Sequence, residues 1–263
     1  MPKFAANLTL MFTEVDFLDR FEAAAKAGFK AVEFHFPYAY GKAQIAERVA
    51  AHGLRQVLFN LPAGDWQAGD RGIACRPDRV QEFQDGVETA IDYATALGCE
   101  QVNCLAGIRP EGVAEESVRE TLVANLNFAA AKLGEGGIRL LVEPINTRDI
   151  PGFYLCHTDQ ALAVIDEVGS ANLALQYDVY HMQVMEGDLA TTLGRNLDRI
   201  KHIQIADNPG RHEPGTGEID YRFLLAFLDR LGYGGWVGCE YLPMTTTEEG
   251  LGWIKPYLAA AAA

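Results

Sequence analysis

The sequence predicts a single-domain (β/α)8 barrel of the α/β class, on three observations. Short apolar runs alternate with longer amphipathic stretches eight times along the chain. No linker, low-complexity stretch or composition break divides these eight units. The length, 263 residues, matches the roughly 250 that such a barrel needs. Eight strands that each precede a helix imply a parallel sheet.

The strands are expected near Phe4–Leu8, Ala31–Phe34, Gln56–Asn60, Gln101–Leu105, Arg139–Glu143, Leu173–Tyr177, His202–Ile205 and Trp236–Glu240. Helices are expected near Asp16–Ala27, Lys42–Ala51, Asp78–Leu97, Glu115–Leu133, Thr158–Val168, Asp188–Leu197, Tyr221–Leu231 and Thr247–Tyr257. Gly28, Gly98, Gly134, Gly169 and Gly232 stand where helices should end. Thr158 and Asp220 stand where N-caps belong. The domain is expected over residues 1–258, with the alanine run 259–263 a frayed tail of no functional weight.

An open, doubly wound sheet would carry a glycine-rich phosphate loop after its first strand. The segment Thr9–Glu14 has no glycine, and neither G-x-G-x-x-G after a strand nor G-x-x-x-x-G-K-[ST] occurs. No nucleotide cofactor is expected. The long loops 61–77 and 206–220 would lie over the C-terminal face of a barrel, where active sites sit.

The formal charge of −14 disfavours nucleic acid and anionic lipid as partners. It leaves room for an anionic small molecule in a locally positive pocket. No apolar run reaches the roughly 18 residues of a membrane span, and the N-terminus does not read as a secretory signal. The five cysteines are odd in number and lack a C-x-x-C pair, which reads as free thiols in a reducing cytoplasm. The outer helices of a barrel can support a homo-oligomer.

The chemistry is concentrated at the ends of the last four strands. Glu143, Asp178, Gln204 and Glu240 lie 35, 26 and 36 residues apart, close to the roughly 31 of one βα unit. Three carboxylates and a carboxamide form a hard-oxygen set suited to Mg2+ or Mn2+. Without a cation, such carboxylates raise one another's pKa. A lone acidic residue at a strand end is usually an N-cap or a solvated loop residue. On the pattern alone, a shared site and four unrelated strand ends both stay open.

Four sequence pieces carry a resemblance. They are Glu143-Pro-Ile-Asn146, Tyr177-Asp-Val-Tyr-His181, His202-Ile-Gln-Ile-Ala-Asp207 with Glu213-Pro-Gly-Thr-Gly-Glu218, and Gly238-Cys-Glu-Tyr241. Together they resemble the xylose-isomerase-like TIM barrel superfamily. Within it, Phe4–Leu8, Asn60–Trp66 and Ala68–Cys75 are similar to the hydroxypyruvate isomerase family. The resemblance runs from Phe4 to Tyr257. It implies catalytic glutamates at Glu143 and Glu240 and a divalent metal, Mg2+ or Mn2+, held by Glu143, Asp178, Gln204 and Glu240. Many sugar epimerases of the superfamily have His where this chain has Gln204, which leaves the identity of the metal open.

The implied reaction interconverts hydroxypyruvate and 2-hydroxy-3-oxopropanoate (tartronate semialdehyde) through an enediolate whose charge a cation would stabilise. Arg211 and Arg71 are candidates for the substrate carboxylate, and each also reads as a surface-loop arginine. His181 and Asn60 are candidates for substrate contact. Phe12, Trp66 and Tyr241 are candidates to wall the pocket. His202 reads as a supporting partner or as core, and His35, His52, His157 and His212 show no usable pattern. The rival readings are an isomerase or epimerase of a larger keto acid or ketose, a zinc nuclease, and a non-catalytic sugar-acid-binding barrel.

Overall fold

A computed structural model describes residues 2–260. Eight parallel strands run in the order β3-β2-β1-β8-β7-β6-β5-β4. They are β1 (Lys3–Asn7), β2 (Ala31–Glu33), β3 (Arg55–Leu58), β4 (Gln101–Cys104), β5 (Arg139–Val142), β6 (Leu173–Asp178), β7 (Ile200–Ile205) and β8 (Trp236–Cys239). The two ends of that order meet through a parallel bridge between Asn60 and Asn103. Leu61 N donates to Asn103 O at 2.8 Å and Asn103 N to Phe59 O at 2.9 Å. The sheet therefore closes into a barrel.

The helices are α1 (Arg20–Lys26), α2 (Lys42–Ala51), α3 (Val80–Leu97), α4 (Glu115–Glu135), α5 (Thr158–Val168), α6 (Val179–Met185), α7 (Leu189–Asn196), α8 (Tyr221–Arg230), α9 (Thr247–Gly250) and α10 (Lys255–Ala260). Three departures from the sequence expectation have local causes. The last expected helix is broken: α9 gives way to a 3-10 turn at Leu251–Trp253 before α10. Gly134 lies inside α4, which ends at Glu135 with Gly136 as its cap residue, and Gly134 lets the helix approach Asn172, whose Nδ2 would sit 3.2 Å from an added Cβ. Thr158 is the first helical residue of α5, after the cap residue His157; its hydroxyl donates to Glu186 Oε2 at 2.9 Å. Asp220 caps α8, accepting from Phe223 N. Gly98 and Gly169 end α3 and α5 at φ 59° and 65°, which glycine adopts without Cβ strain. The alanine run begins inside α10, and residues 261–263 lie outside the described part of the chain.

Alternation along each strand sorts side chains between two spaces. In β6, Leu173, Leu175 and Tyr177 join the large apolar cluster between sheet and helices. Ala174 belongs to a small cluster with Leu58 and Leu141, while Gln176 and Asp178 bond to groups across the barrel interior or at its rim. In β7, Ile203 and Ile205 pack outward and His202 and Gln204 inward. The same rule points Glu143 and Glu240, one step past β5 and β8, into the C-terminal mouth.

Candidate active site

The last four strands bring three carboxylates, Glu143, Asp178 and Glu240, and the carboxamide of Gln204 to one end of the barrel. Asp178 and Gln204 are paired in register, as are Gln204 and Gly238. Asp178 ends β6 and caps α6: its Oδ1 accepts from Tyr180 N at 2.8 Å and from His181 N at 3.4 Å. Its Oδ2 is buried without a hydrogen-bond partner and faces His181 Nε2 at 3.6 Å and Arg211 Nη2 at 3.7 Å. The turn from strand to helix thus spends one carboxylate oxygen on the backbone and aims the other into the site.

Glu143 is divided in the same way. Its Oε2 accepts from Asn103 Nδ2 at 2.8 Å and Gln176 Nε2 at 2.9 Å. Its Oε1 lies 4.0 Å from His181 Nε2. In Glu240, Oε1 is held by His35 Nε2 at 2.6 Å and Arg211 Nη2 at 3.1 Å. Each glutamate has one oxygen anchored.

These surroundings drive the two glutamates apart. Burial pushes the Glu143 carboxyl well above its ordinary range, and the charges of Glu240 and Asp178 push it further. Burial and Glu240 also push Asp178 up to about 7. Burial works to raise Glu240 as well, but His35 and Arg211 outweigh it and hold the group down at about 2. Like charges cannot all ionise cheaply in one buried pocket, and the Arg211 charge and the hydrogen bond to His35 favour ionised Glu240.

His181 is fixed from behind. Asn146 Oδ1 accepts from Asp149 N at 2.7 Å, so its amide nitrogen faces His181 Nδ1 at 2.6 Å. That bond assigns the ring proton to Nε2, the atom nearest Asp178 and Glu143. Burial, then the charge of Arg211, lowers the His181 pKa well below its usual value, so the ring is a neutral donor. Glu143, Asp178 and His181 each bring one ligand-capable atom within 4.8 Å of the others.

The remaining expected residues divide. Arg211 joins the site; its backbone takes a left-handed φ of 57°, its guanidinium lies 5.3 Å from the Tyr180 ring, and its Nε is buried without a partner. Gln204 is at the site's floor, with Oε1 accepting from Gln176 at 2.7 Å. Asn60 stands one residue further back: its Oδ1 accepts from Asn103 Nδ2 at 3.2 Å. Arg71 is not brought to the carboxylates. Its guanidinium stacks on Trp66 at 4.2 Å and bonds the Trp66 and Asp70 carbonyls. Trp66 in turn meets Phe36, the neighbour of His35. Phe12 and Tyr241 are buried, and Tyr241 packs edge-on against Trp253; both belong to the wall's packing. His202 is wholly buried and bonded to Glu33.

His35, Asn103, Gln176 and Asn146 are site residues that sequence reasoning missed. Asn103 and Gln176 did leave a signal, as polar side chains inside short buried strands. His35 lies two residues past β2, at the same end as the carboxylates.

A family model described as a xylose isomerase-like TIM barrel matches residues 21–257. The chain belongs to the xylose isomerase-like TIM barrel family. Relatives within it match over nearly the whole chain. Hydroxypyruvate isomerase of Escherichia coli is 55% identical over 257 residues, 98% of this chain and 100% of that protein. A 2-oxo-tetronate isomerase of Cupriavidus necator is 49% identical over 258 residues, 98% of this chain and 99% of that protein. A solved structure from Brucella melitensis described as an AP endonuclease, family 2, superposes with a TM-score of 0.96 at 48% identity, over 98% of this chain and 99% of that one. In the present family member, the metal-capable His, Cys, Asp and Glu groups among the described residues reduce to Glu143, Asp178 and His181.

Proposed function

We propose that this chain is an isomerase that interconverts hydroxypyruvate and 2-hydroxy-3-oxopropanoate, with Glu143 and Glu240 moving the carbon-bound proton. The observation that carries the reading is geometric: two buried glutamates, one residue past β5 and β8, share one mouth with His181 and Arg211, each with one carboxylate oxygen anchored. Two such carboxylates flanking one pocket can act as acid and base, and their opposite displacements, Glu143 up and Glu240 down, agree with that. The relatives named hydroxypyruvate isomerase and 2-oxo-tetronate isomerase support the substrate class.

The reaction moves one hydrogen from C3 to C2 and one hydroxyl proton from O3 to O2, so no electron acceptor is consumed. Glu240, which His35 and Arg211 hold by one carboxylate oxygen, takes the C3 proton. The electron pair left behind forms the C2–C3 double bond of an enediolate. Glu143 returns a proton to C2, the O3 proton passes to O2 as O3 becomes the aldehyde oxygen, and exchange with solvent removes the proton from Glu240 and restores one to Glu143. His181 Nε2–H donates to a substrate oxygen. Arg211 carries the substrate carboxylate on the guanidinium edge that includes its unpartnered Nε. Arg71 and Asn60 support the pocket from the third loop and from behind Asn103.

The site's donors fit a hard divalent cation, Mg2+ or Mn2+. Asp178 Oδ2 is a buried orphan oxygen, and three carboxylates share the mouth. Glu143, Asp178, Gln204 and Glu240 would hold the ion. When bound, it supplies Lewis-acid stabilisation of enediolate charge. Four of the five free cysteines are buried, and the unpaired thiols support a cytoplasmic setting. No helix among the described residues is long and apolar enough to cross a membrane.

A second reading keeps the chemistry and enlarges the substrate, because the Cupriavidus necator relative acts on 2-oxo-tetronate by its name. Specificity constants for hydroxypyruvate and for 2-oxo-tetronate, measured by NMR with and without chelation, decide between them. The account expects hydroxypyruvate to be preferred and both activities to fall on chelation. A preference for the four-carbon acid would move the assignment to the second reading. Turnover of neither would overturn the isomerase.

A further inference from the structure

At the centre of the barrel, below the site, lies a polar group that the reaction does not use. Glu33 on β2 and His202 on β7 are both wholly buried, with His202 Nε2 2.6 Å from Glu33 Oε2. Gln101 Nε2 lies 3.3 Å from His202 Nδ1, which leaves the ring proton on the nitrogen facing Glu33. Glu33 Oε1 accepts from Asn7 Nδ2 at 3.0 Å and from Gln204 Nε2 at 2.8 Å. Space for the carboxylate comes from Gly238: a Cβ there would sit 2.3 Å from Glu33 Oε2.

A carboxamide can enter such a position in either of two orientations that exchange its oxygen and nitrogen. Only the oxygen can serve a cation. A carboxylate accepts hydrogen bonds and does not donate them, so Glu33 selects the Gln204 nitrogen. The Gln204 oxygen is then turned to the other side, where it accepts from Gln176 Nε2 at 2.7 Å, and Gln176 also reaches Glu143.

We propose that Glu33 is a positioning residue, fixing the amide of Gln204 from the barrel centre so that its oxygen faces the site carboxylates. The inference rests on the cation reading given above and extends it to a residue with no contact to substrate. His202 and Asn7 act on Glu33, and Gly238 admits it.

The test is Mn2+ titration of chelator-treated enzyme, followed by the electron paramagnetic resonance signal of free Mn2+, which reads affinity without turnover. Glu33→Gln lets the Gln204 amide invert, and Mn2+ affinity is expected to fall by roughly tenfold to a hundredfold, the usual effect of removing a group that orients a ligand. The exchange variant, Glu33→Gln with Gln204→Glu, removes the ambiguity because both ends of residue 204 become oxygen; it is expected to regain most of the loss. Thermal unfolding of each variant in chelator separates positioning from stability, since a structural role would move melting and affinity together. Wild-type affinity in Glu33→Gln, or an exchange variant as weak as Glu33→Gln, overturns the proposal. Should Glu33→Gln fail to fold, Gln204→Glu alone decides. It sets a carboxylate against Glu33 and is expected to bind Mn2+ more weakly despite its added charge, and tighter binding overturns the proposal. A wild type that binds no Mn2+ removes the cation reading and this inference with it. A binding wild type with an unaffected Glu33→Gln removes the inference alone.

Discussion

The space between the strands and the helices and the space inside the barrel are lined by the same eight strands, yet their chemistry is opposite. Outside, Leu173, Leu175, Tyr177, Ile203 and Ile205 pack against helices in a large, continuous apolar cluster. Inside, apolar contact shrinks to two groups of three buried residues, Ala5 with Ala31 and Val57, and Leu58 with Leu141 and Ala174. The rest of the interior is amide, imidazole and carboxylate, joined from His202 through Glu33, Gln204 and Gln176 to Glu143. Burying polar groups is unfavourable unless they are paired; this chain pairs many of them with one another and leaves Gln56 Oε1, Asn103 Oδ1, Gln176 Oε1 and Asp178 Oδ2 without a hydrogen-bond partner. The shell therefore holds the fold, and the interior holds the orientation of the groups at the mouth. Substitutions in the two regions should separate stability from turnover.

The largest effect is expected at the mouth. Glu143→Gln and Glu240→Gln should each lower turnover by roughly a hundredfold to ten-thousandfold, the range of a lost general acid or base. Glu143→Gln should not lower the melting temperature measured in chelator, because it removes the most disfavoured of three crowded carboxylates, whereas Glu240→Gln, which takes the partner from His35 and Arg211, should lower it modestly. Near-normal turnover in either would break the assignment. A loss of stability as large as that of a core variant would break the division of labour.

The shell should answer in the reverse way. Leu122 on α4 is wholly buried, and Leu122→Ala should destabilise the protein by about 2–5 kcal/mol. Urea denaturation measures that loss, while turnover per folded molecule should stay unchanged. Arg211 tests the rim between the two regions. Arg211→Lys keeps the charge and loses the planar fork, and KM for the acid should rise by about tenfold, in keeping with one hydrogen bond to a charged group. An unchanged KM would move the substrate carboxylate elsewhere, with Arg71 the next residue to examine.

The smallest effect is expected at Glu14, on the outer surface. Burial acts to raise its carboxyl, but bonds from the backbone N–H and hydroxyl of Thr247 outweigh this and lower it below its ordinary 4.5. A carboxyl depressed in the folded state stabilises above its unfolded pKa, and that contribution is lost as pH falls through the folded value. Glu14→Gln should therefore be less stable than wild type at pH 7 by at most about 1 kcal/mol. The difference should vanish in strongly acidic solution, as read by urea denaturation at each pH.

Much of this arrangement was legible in the sequence because the shell and the strand ends follow simple periods. Alternation in Leu173–Asp178 marks both a strand and the inward direction of Asp178. The spacing of Glu143, Asp178, Gln204 and Glu240 is close to one βα unit each, which by itself leaves a shared site and four unrelated strand ends both open. What was not legible depends on closure itself. His35 lies 205 residues from Glu240, and Glu33 lies 169 from His202, so no local pattern links them. The helix α6 escaped notice because it starts directly on Asp178, with no loop to announce it. Arg71 reads as a carboxylate partner from its guanidinium chemistry and its loop, and no local pattern announces its stacking on Trp66.

The central claim is that the two glutamates move a carbon-bound proton of a hydroxy-keto acid. Proton NMR of the wild type with hydroxypyruvate in D2O, in Mg2+, in Mn2+ and after chelation, tests it most directly. The account expects 2-hydroxy-3-oxopropanoate to appear with deuterium at the carbon that gains a proton, to diminish on chelation, and to be absent with Glu143→Gln. Neither product nor deuterium incorporation under any metal condition would contradict it.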